Sequence, residues 1–198
     1  MPRTEEQLKK IRESAKQKII EASLKLFAGK GFKGTSMSDI AGEAGISKGL
    51  AYNYFSSKDD IVKSIIDMAV VEAEEYFGPV FMIKDPFEKI NEMIELSFKY
   101  FVEKEEAWRF YLSIMLQPDV LKMTGSIIGN FAEELYLLIE EIFHEINIKD
   151  AASEAKIFGA LMDGIAFHYM LQKENYPIDV VKKKVLQKYS KSELSRLI

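Results

Sequence analysis

The chain has 198 residues, 47% of them apolar and 29% charged, carries a formal net charge of −4 and contains no cysteine. This composition is that of an ordinary globular protein and excludes a disordered or collagen-like chain. The lack of cysteine excludes a disulfide framework, a thiolate zinc site and a cysteine nucleophile. The opening MPRTEEQLKK lacks the apolar core of a secretory signal, and no apolar run approaches the ~20 residues that cross a bilayer. A soluble cytoplasmic protein without membrane association is expected. Through residue 64, twelve basic residues face eight acidic ones, so this stretch carries +4 and the remainder −8. A basic head on an acidic body points to a polyanion met by the head alone, although charge scattered over a solvated surface gives the same excess.

Helical periodicity runs through nearly the whole chain. Ile11, Ala15, Ile19, Ala22 and Leu26 step by three or four, and Gly29 and Gly31 are expected to end that first helix. Ser36-Met-Ser-Asp39 and Ser57-Lys-Asp-Asp60 fit the capping pattern in which side chains satisfy orphan amides of a first turn. A helix is expected from about Ser57 to Phe77, halted by Gly78-Pro79, and another from Pro86 to about Lys104. A shorter one is expected over about Glu106 to Leu116, and Pro118 opens a brief turn. Ile128, Phe131, Leu135, Leu138 and Ile142 form one long stripe, and Ala155, Phe158, Met162, Ile165 and Tyr169 the next. Lys149-Asp150 joins the two closely enough to make them antiparallel neighbours. A last amphipathic helix is expected from Ile178 to about Leu197. No strand alternation or internal repeat is present, so the fold class is all-α.

Residues 36–55, SMSDIAGEAGISKGLAYNYF, carry the most information. A short capped helix with Ile40 and Ala41 leads to Gly45, placed for the left-handed conformation of a tight turn, and then to a helix opened by Ser47. This is the pattern of a helix-turn-helix, whose second helix enters the DNA major groove by its amino end. Ser47, Lys48 and Gly49 offer amides and a lysine suited to phosphates and base-edge acceptors. Tyr52, Asn53 and Tyr54 follow with polar tips that suit backbone contacts, while Phe55 is assigned to the core.

Residues 18–62, with G-F, T-S, D-I-A, A-G-I-S-K-G, Y-x-Y-F and S-K-D in one gap-free run, closely resemble the DNA-binding domain of the TetR (tetracycline repressor) family of transcriptional regulators. The resemblance implies that Thr35 and Ser36 hold backbone phosphates, that Lys48, Gly49, Leu50 and Tyr52 face the groove, and that Tyr54 and Lys58 touch phosphates. Leu50 stands where family members often carry threonine, so readout there would be apolar. Ser38 stands where arginine is frequent, which removes a charged contact. The implied organisation is a helix-turn-helix DNA-binding domain of three helices over residues 1–56, followed by a larger helical regulatory and dimerisation domain over 57–198.

The segment Ile157–Leu171, IFGALMDGIAFHYML, is apolar nearly all round, and such a helix has to be covered on two sides. One cover is its own core; the other is a symmetry mate or more of the same monomer. LMDGIA also resembles the family's dimer helix. The seam is assigned to Phe158, Gly159, Met162, Ile165, Ala166 and Tyr169, with Leu135 and Ile142 from the preceding stripe. Two-fold pairing then sets two recognition helices on half-sites roughly 34–36 Å apart. Phe101, Trp108, Tyr111, Met115, Phe131, Phe167 and His168 are the candidate lining of a pocket for a small, mostly apolar or aromatic effector, although such stripes also build plain core. Asp163 is a further possible polar handle. Glu140 and His144 share a helix face, but without thiolates no metal site is expected. No cofactor is expected, and no nucleophile elbow, phosphate-binding glycine loop or Ser/His/Asp set supports an enzyme.

The reading is therefore a dimeric, ligand-responsive transcriptional regulator, most simply a repressor of a near-palindromic operator. Ligand entry is expected to shift the helix from Ser57 to Phe77 and change the spacing of the two heads. The competing readings are a helical lipid carrier or enzyme with an incidental basic head, and a dimeric regulator with no physiological ligand.

Overall fold

The computed structural model describes residues 4–105, 108 and 117–196. All regular structure among them is helical, and the chain divides into two compact units, Met1–Ala69 with Phe110–Ser126, and Val70–Arg109 with Ile127–Ile198.

In the first unit, α1 (Glu5–Lys30) starts at Thr4, whose side chain and that of Gln7 cap each other's backbone amides. Gly31 closes the helix, its N–H bonded to the Phe27 carbonyl. Gly29 lies inside α1 rather than ending it; one interior glycine weakens a helix by only about 1 kcal/mol, and the positive φ that reverses the chain falls at Gly31. The stripe predicted along α1 is buried only at Ile19, Ala22 and Leu26; Ile11 stays 44% exposed. The helices α2 (Met37–Glu43), α3 (Lys48–Tyr54) and α4 (Lys58–Phe77) follow, with the boundary between units falling inside α4. Ile40, Ala41, Ala51, Phe55, Ile61 and Val62 complete the core of this unit with the inner face of α1. Burying each large side chain stabilises the head by about 1.5–3 kcal/mol.

In the second unit, a 3₁₀ turn (Gly78–Met82) leads to α5 (Pro86–Glu103), capped by Asp85, whose carboxylate accepts from the amides of Phe87 and Glu88. Pro118 opens not a brief turn but α6 (Pro118–Glu145), a single helix of 28 residues that crosses the boundary between units. Pro118 occupies a first-turn position where its missing N–H is harmless, no second proline follows before Glu145, and Gly125 and Gly129 are carried in the helix interior. The helix ends at Asn147, at φ 69°, where Ile148 N–H bonds back to Phe143 O. Asp150 then caps α7 (Ala151–Gln172). The predicted last helix is two, α8 (Ile178–Lys188) and α9 (Lys191–Leu194), because Tyr189 turns into the core and Ser190 is extended. The helix expected over Glu106–Leu116 lies outside the described residues. The core is assembled from Ile90, Ile94 and Phe98 of α5, Ile142 and Phe143 of α6, Phe158 and Met162 of α7, and Tyr189. The rings of Phe143, Phe158 and Tyr189 lie within 5.1–6.3 Å of one another.

Candidate nucleic-acid interface

The interface is built by two short caps and one glycine. Ser36 and Asp39 form a reciprocal box at the start of α2: Ser36 Oγ accepts from Asp39 N–H at 3.1 Å, and Asp39 Oδ2 accepts from Ser36 N–H at 2.8 Å. The Ser36 hydroxyl and amide, then the Lys30 ammonium 3.7 Å away, hold the Asp39 carboxyl below the usual carboxylate range. After α2, Gly45 takes φ 67°, a conformation that strains any residue bearing a Cβ. The chain then reverses, Ile46 N–H bonding to Ala41 O at 3.0 Å. Ser47 caps α3, its Oγ accepting from Leu50 N–H at 3.2 Å.

Ala51, fully buried, and Phe55, 4% exposed, clamp α3 against the head. The opposite face is left to solvent. Ser47, Lys48, Gly49, Leu50, Tyr52 and Asn53 are all exposed, with Lys48 Nζ 6.0 Å from the centre of the Tyr52 ring one turn away. The structure thus brings six of the predicted DNA-facing residues onto one accessible helix end. Tyr54 is half-buried at the side of the same helix. Lys58 is half-buried too: its ammonium donates to Phe32 O at 2.6 Å and lies 4.5 Å from the Phe32 ring centre, which fixes the charge while leaving donors unused.

Thr35 is a correction. It is 2% exposed, and its hydroxyl donates to Gly31 O at 2.9 Å, so it ties the turn after α1 together and offers no donor to a phosphate. Ser36 is exposed, but its hydroxyl is engaged on both sides by Asp39, donating to Oδ2 at 2.6 Å.

The seam and pocket residues are dispersed differently from the expectation. Ile142, Phe158, Met162, Ile165 and Ala166 are each at most 6% exposed within one chain, leaving no surface for a partner copy. Leu135 and Tyr169 are half-buried against the same core. Gly159 serves a contact inside the chain, since a Cβ there would stand 2.6 Å from Cε1 of Tyr136. The second apolar face of α7 is instead Ile157, Ala160, Gly164, Phe167 and Leu171, with Ile157, Phe167 and Leu171 exposed by 52%, 40% and 65%. Phe167 and His168 therefore lie on the outside of α7 rather than lining an interior pocket. Asp163 keeps an exposed side, yet the packing around its carboxyl raises its pKa. Phe101 is core, 5.6 Å in edge-on contact with Trp108, and Phe131 is half-buried. Tyr111 and Met115 lie outside the described residues. His144 Nε2 sits 3.3 Å from Glu140 Oε1, and no cluster of three metal-ligating side chains forms among the described residues.

An all-helical chain whose head exposes the amino end of a capped second helix after a glycine turn defines a helix-turn-helix protein. Residues 19–65 match the model of the bacterial regulatory proteins of the tetR family. The chain is similar to IcaR, the negative transcriptional regulator of the biofilm operon icaADBC in Staphylococcus aureus, at 29% identity over 130 residues, spanning 64% of this chain and 67% of IcaR. Its fold is similar to that of the regulator FadR of Bacillus subtilis, solved with stearoyl-CoA, with TM-score 0.71, 20% identity and coverage of 87% and 96% of the two chains. It is likewise similar to NalD of Pseudomonas aeruginosa, a repressor of a multidrug efflux pump, with TM-score 0.72, 18% identity and coverage of 90% and 96%. Among the described residues no helix is long and apolar enough to cross a membrane.

Proposed function

We propose that the chain is a cytoplasmic repressor that binds a near-palindromic operator as a homodimer and is released by a small, mostly apolar molecule. The observation that carries the DNA-binding half is the exposed face of α3, where Lys48, Gly49, Leu50, Tyr52 and Asn53 point away from the anchors Ala51 and Phe55. Lys48 supplies donors for guanine or phosphate oxygens, Asn53 can bond an adenine edge, and Leu50 offers an apolar contact to a thymine methyl. Tyr52 and Tyr54 set the helix on the backbone, and the Lys58 ammonium, held by Phe32 O, adds a phosphate contact. Repression is supported by the likeness to IcaR, a negative regulator.

Dimerisation is supported by the outer face of α7, where Ile157, Phe167 and Leu171 stand exposed on the side opposite the core. The effector reading leans on the fold shared with FadR of Bacillus subtilis, which was solved with stearoyl-CoA. Release requires that the effector bind one arrangement of the two heads more tightly than the other; equal affinity shifts nothing.

The test starts from a duplex that the full-length protein selects out of random sequence. Lys48→Ala should weaken that duplex by roughly 1–3 kcal/mol while leaving random DNA nearly unaffected, if Lys48 reads a base. Tyr52→Ala should weaken both, by removing a backbone contact. Both side chains are exposed, so helical content by circular dichroism stays unchanged. Undiminished binding by both variants would remove α3 as the recognition element.

A further inference from the structure

The first turns of α1 form a helical arm that stands uncovered among the described residues. Apart from Ala15, the described side chains from Glu5 to Lys18 are exposed, including the apolar Ile11. The arm precedes the stretch that matches the family model, which begins at residue 19. Its helicity is supported by the Thr4–Gln7 capping box and by the pairs Lys10–Glu6 at 3.1 Å and Lys9–Glu13 at 4.0 Å.

The direction of the arm follows from how α1 lies on α2. Lys30 pairs with Asp39 at 3.7 Å and Lys25 with Glu43 at 2.5 Å, while Lys18, Glu21 and Ala22 share a shallow cavity of about 230 Å³ with Glu43 and Ala44. Stepping back along α1 thus means stepping forward along α2, so the two helices are antiparallel. Residues before Lys18 extend past the carboxyl end of α2. That is the end where Gly45 turns the chain into the amino end of α3. At 1.5 Å per residue the arm reaches about 20 Å beyond this point, the axial length of roughly six base pairs.

Its charge favours a polyanion: Lys9, Lys10, Arg12, Lys16 and Lys18 outnumber Glu5, Glu6 and Glu13. Lys9, Arg12 and Lys16 recur at three- and four-residue spacing on one face, which Glu5 and Glu13 share. Arg12 and Lys16 take part in none of the ion pairs found among the described residues. The acids of the arm have other roles: Glu5 and Glu6 sit in the first turn, where they complement the helix dipole, and Glu13 faces Lys9.

We propose that residues 5–18 of α1 are a second DNA-contacting element, in which Arg12 and Lys16, joined by Lys9, bind duplex phosphates flanking the bases read by α3. This rests on the reading that the head binds DNA, and the phosphate charge is what the uncovered cationic face complements. It widens the site beyond the groove segment under α3 without adding base readout.

The experiment uses the full chain and the duplex it selects from random sequence, in one form trimmed to the core site and one with about ten flanking base pairs on each side. On the long form, Arg12→Ala with Lys16→Ala should lower the slope of log affinity against log salt by about 0.9 per phosphate lost, or about 1.8 per head. On the trimmed form the pair should behave as wild type, and the charge-keeping pair Arg12→Lys with Lys16→Arg should keep the wild-type slope on both. An unchanged slope on the long form overturns the proposal while leaving α3 recognition standing. An equal loss on both forms overturns the flanking placement. Failure of the wild-type protein to enrich any duplex overturns this proposal together with the proposed function.

Discussion

Leu171→Ala separates the two apolar faces of α7 more cleanly than any other single change. Phe158, Met162, Ile165 and Ala166 occupy one side of the helix and are buried, whereas Leu171 lies on the other and is 65% exposed. Fully burying a leucine is worth about 1.5–3 kcal/mol, so covering the exposed two-thirds is worth about 1–2 kcal/mol. A two-fold interface repeats every contact, which doubles this to about 2–4 kcal/mol per dimer, roughly a 30- to 900-fold change in dissociation constant. Alanine retains its Cβ, so the lower half of that range is expected. The assay is the dimer fraction against concentration by mass photometry or sedimentation velocity, with helical content by circular dichroism unchanged. Phe158→Ala, one face away and 2% exposed, should instead remove about 3–5 kcal/mol of folding stability by opening a core cavity. A Leu171→Ala protein that dimerises like wild type would refute the assignment of this face to a partner copy.

Two further changes examine the head. Thr35→Val keeps shape but leaves Gly31 O without its 2.9 Å donor, so urea unfolding should show a loss of about 1–3 kcal/mol with no change in the salt slope of DNA binding. A lowered slope at unchanged stability would return Thr35 to the phosphate contacts. Asp39→Asn addresses pH: the folded carboxyl titrates below its ordinary value of 3.8, so its stabilisation is complete above that value and is lost as pH falls through the lowered one. The difference in urea midpoint between wild type and Asp39→Asn should therefore be constant from about pH 7 to 5 and shrink toward pH 2; a difference that grows on acidification would contradict the capping geometry.

What was legible in the sequence is what is decided within a few residues. Ser36 with Asp39, Ser47 with the Leu50 amide, and Gly45 at φ 67° each act across one turn of chain, so spacing alone located α2, the turn and α3. The outward face of α3 followed because a helix of seven residues anchored by Ala51 and Phe55 has little choice of orientation. Thr35 was misread for a converse reason. Its hydroxyl is spent on a carbonyl freed where α1 ends, and where α1 ends depends on Gly31 rather than Gly29.

The body shows where periodicity stops deciding. An all-round apolar helix announces two covers, but the α7 stripes through Phe158 and through Ile157 are equally apolar, and residues distant in the chain chose between them. The Phe143 and Tyr189 rings close on Phe158, and Tyr136 lies against Gly159, which commits that side to the chain's own core. One local signal did point the right way. At 100° per residue, Asp163 and His168 fall on either side of the line through Gly164, Phe167 and Leu171, and both are exposed. Ionisable groups are costly to bury without partners, so they settle at the rim of an outward face rather than across a core. The positions of those two polar residues, more than the apolar ones between them, distinguish the face that α7 keeps for itself from the one it presents.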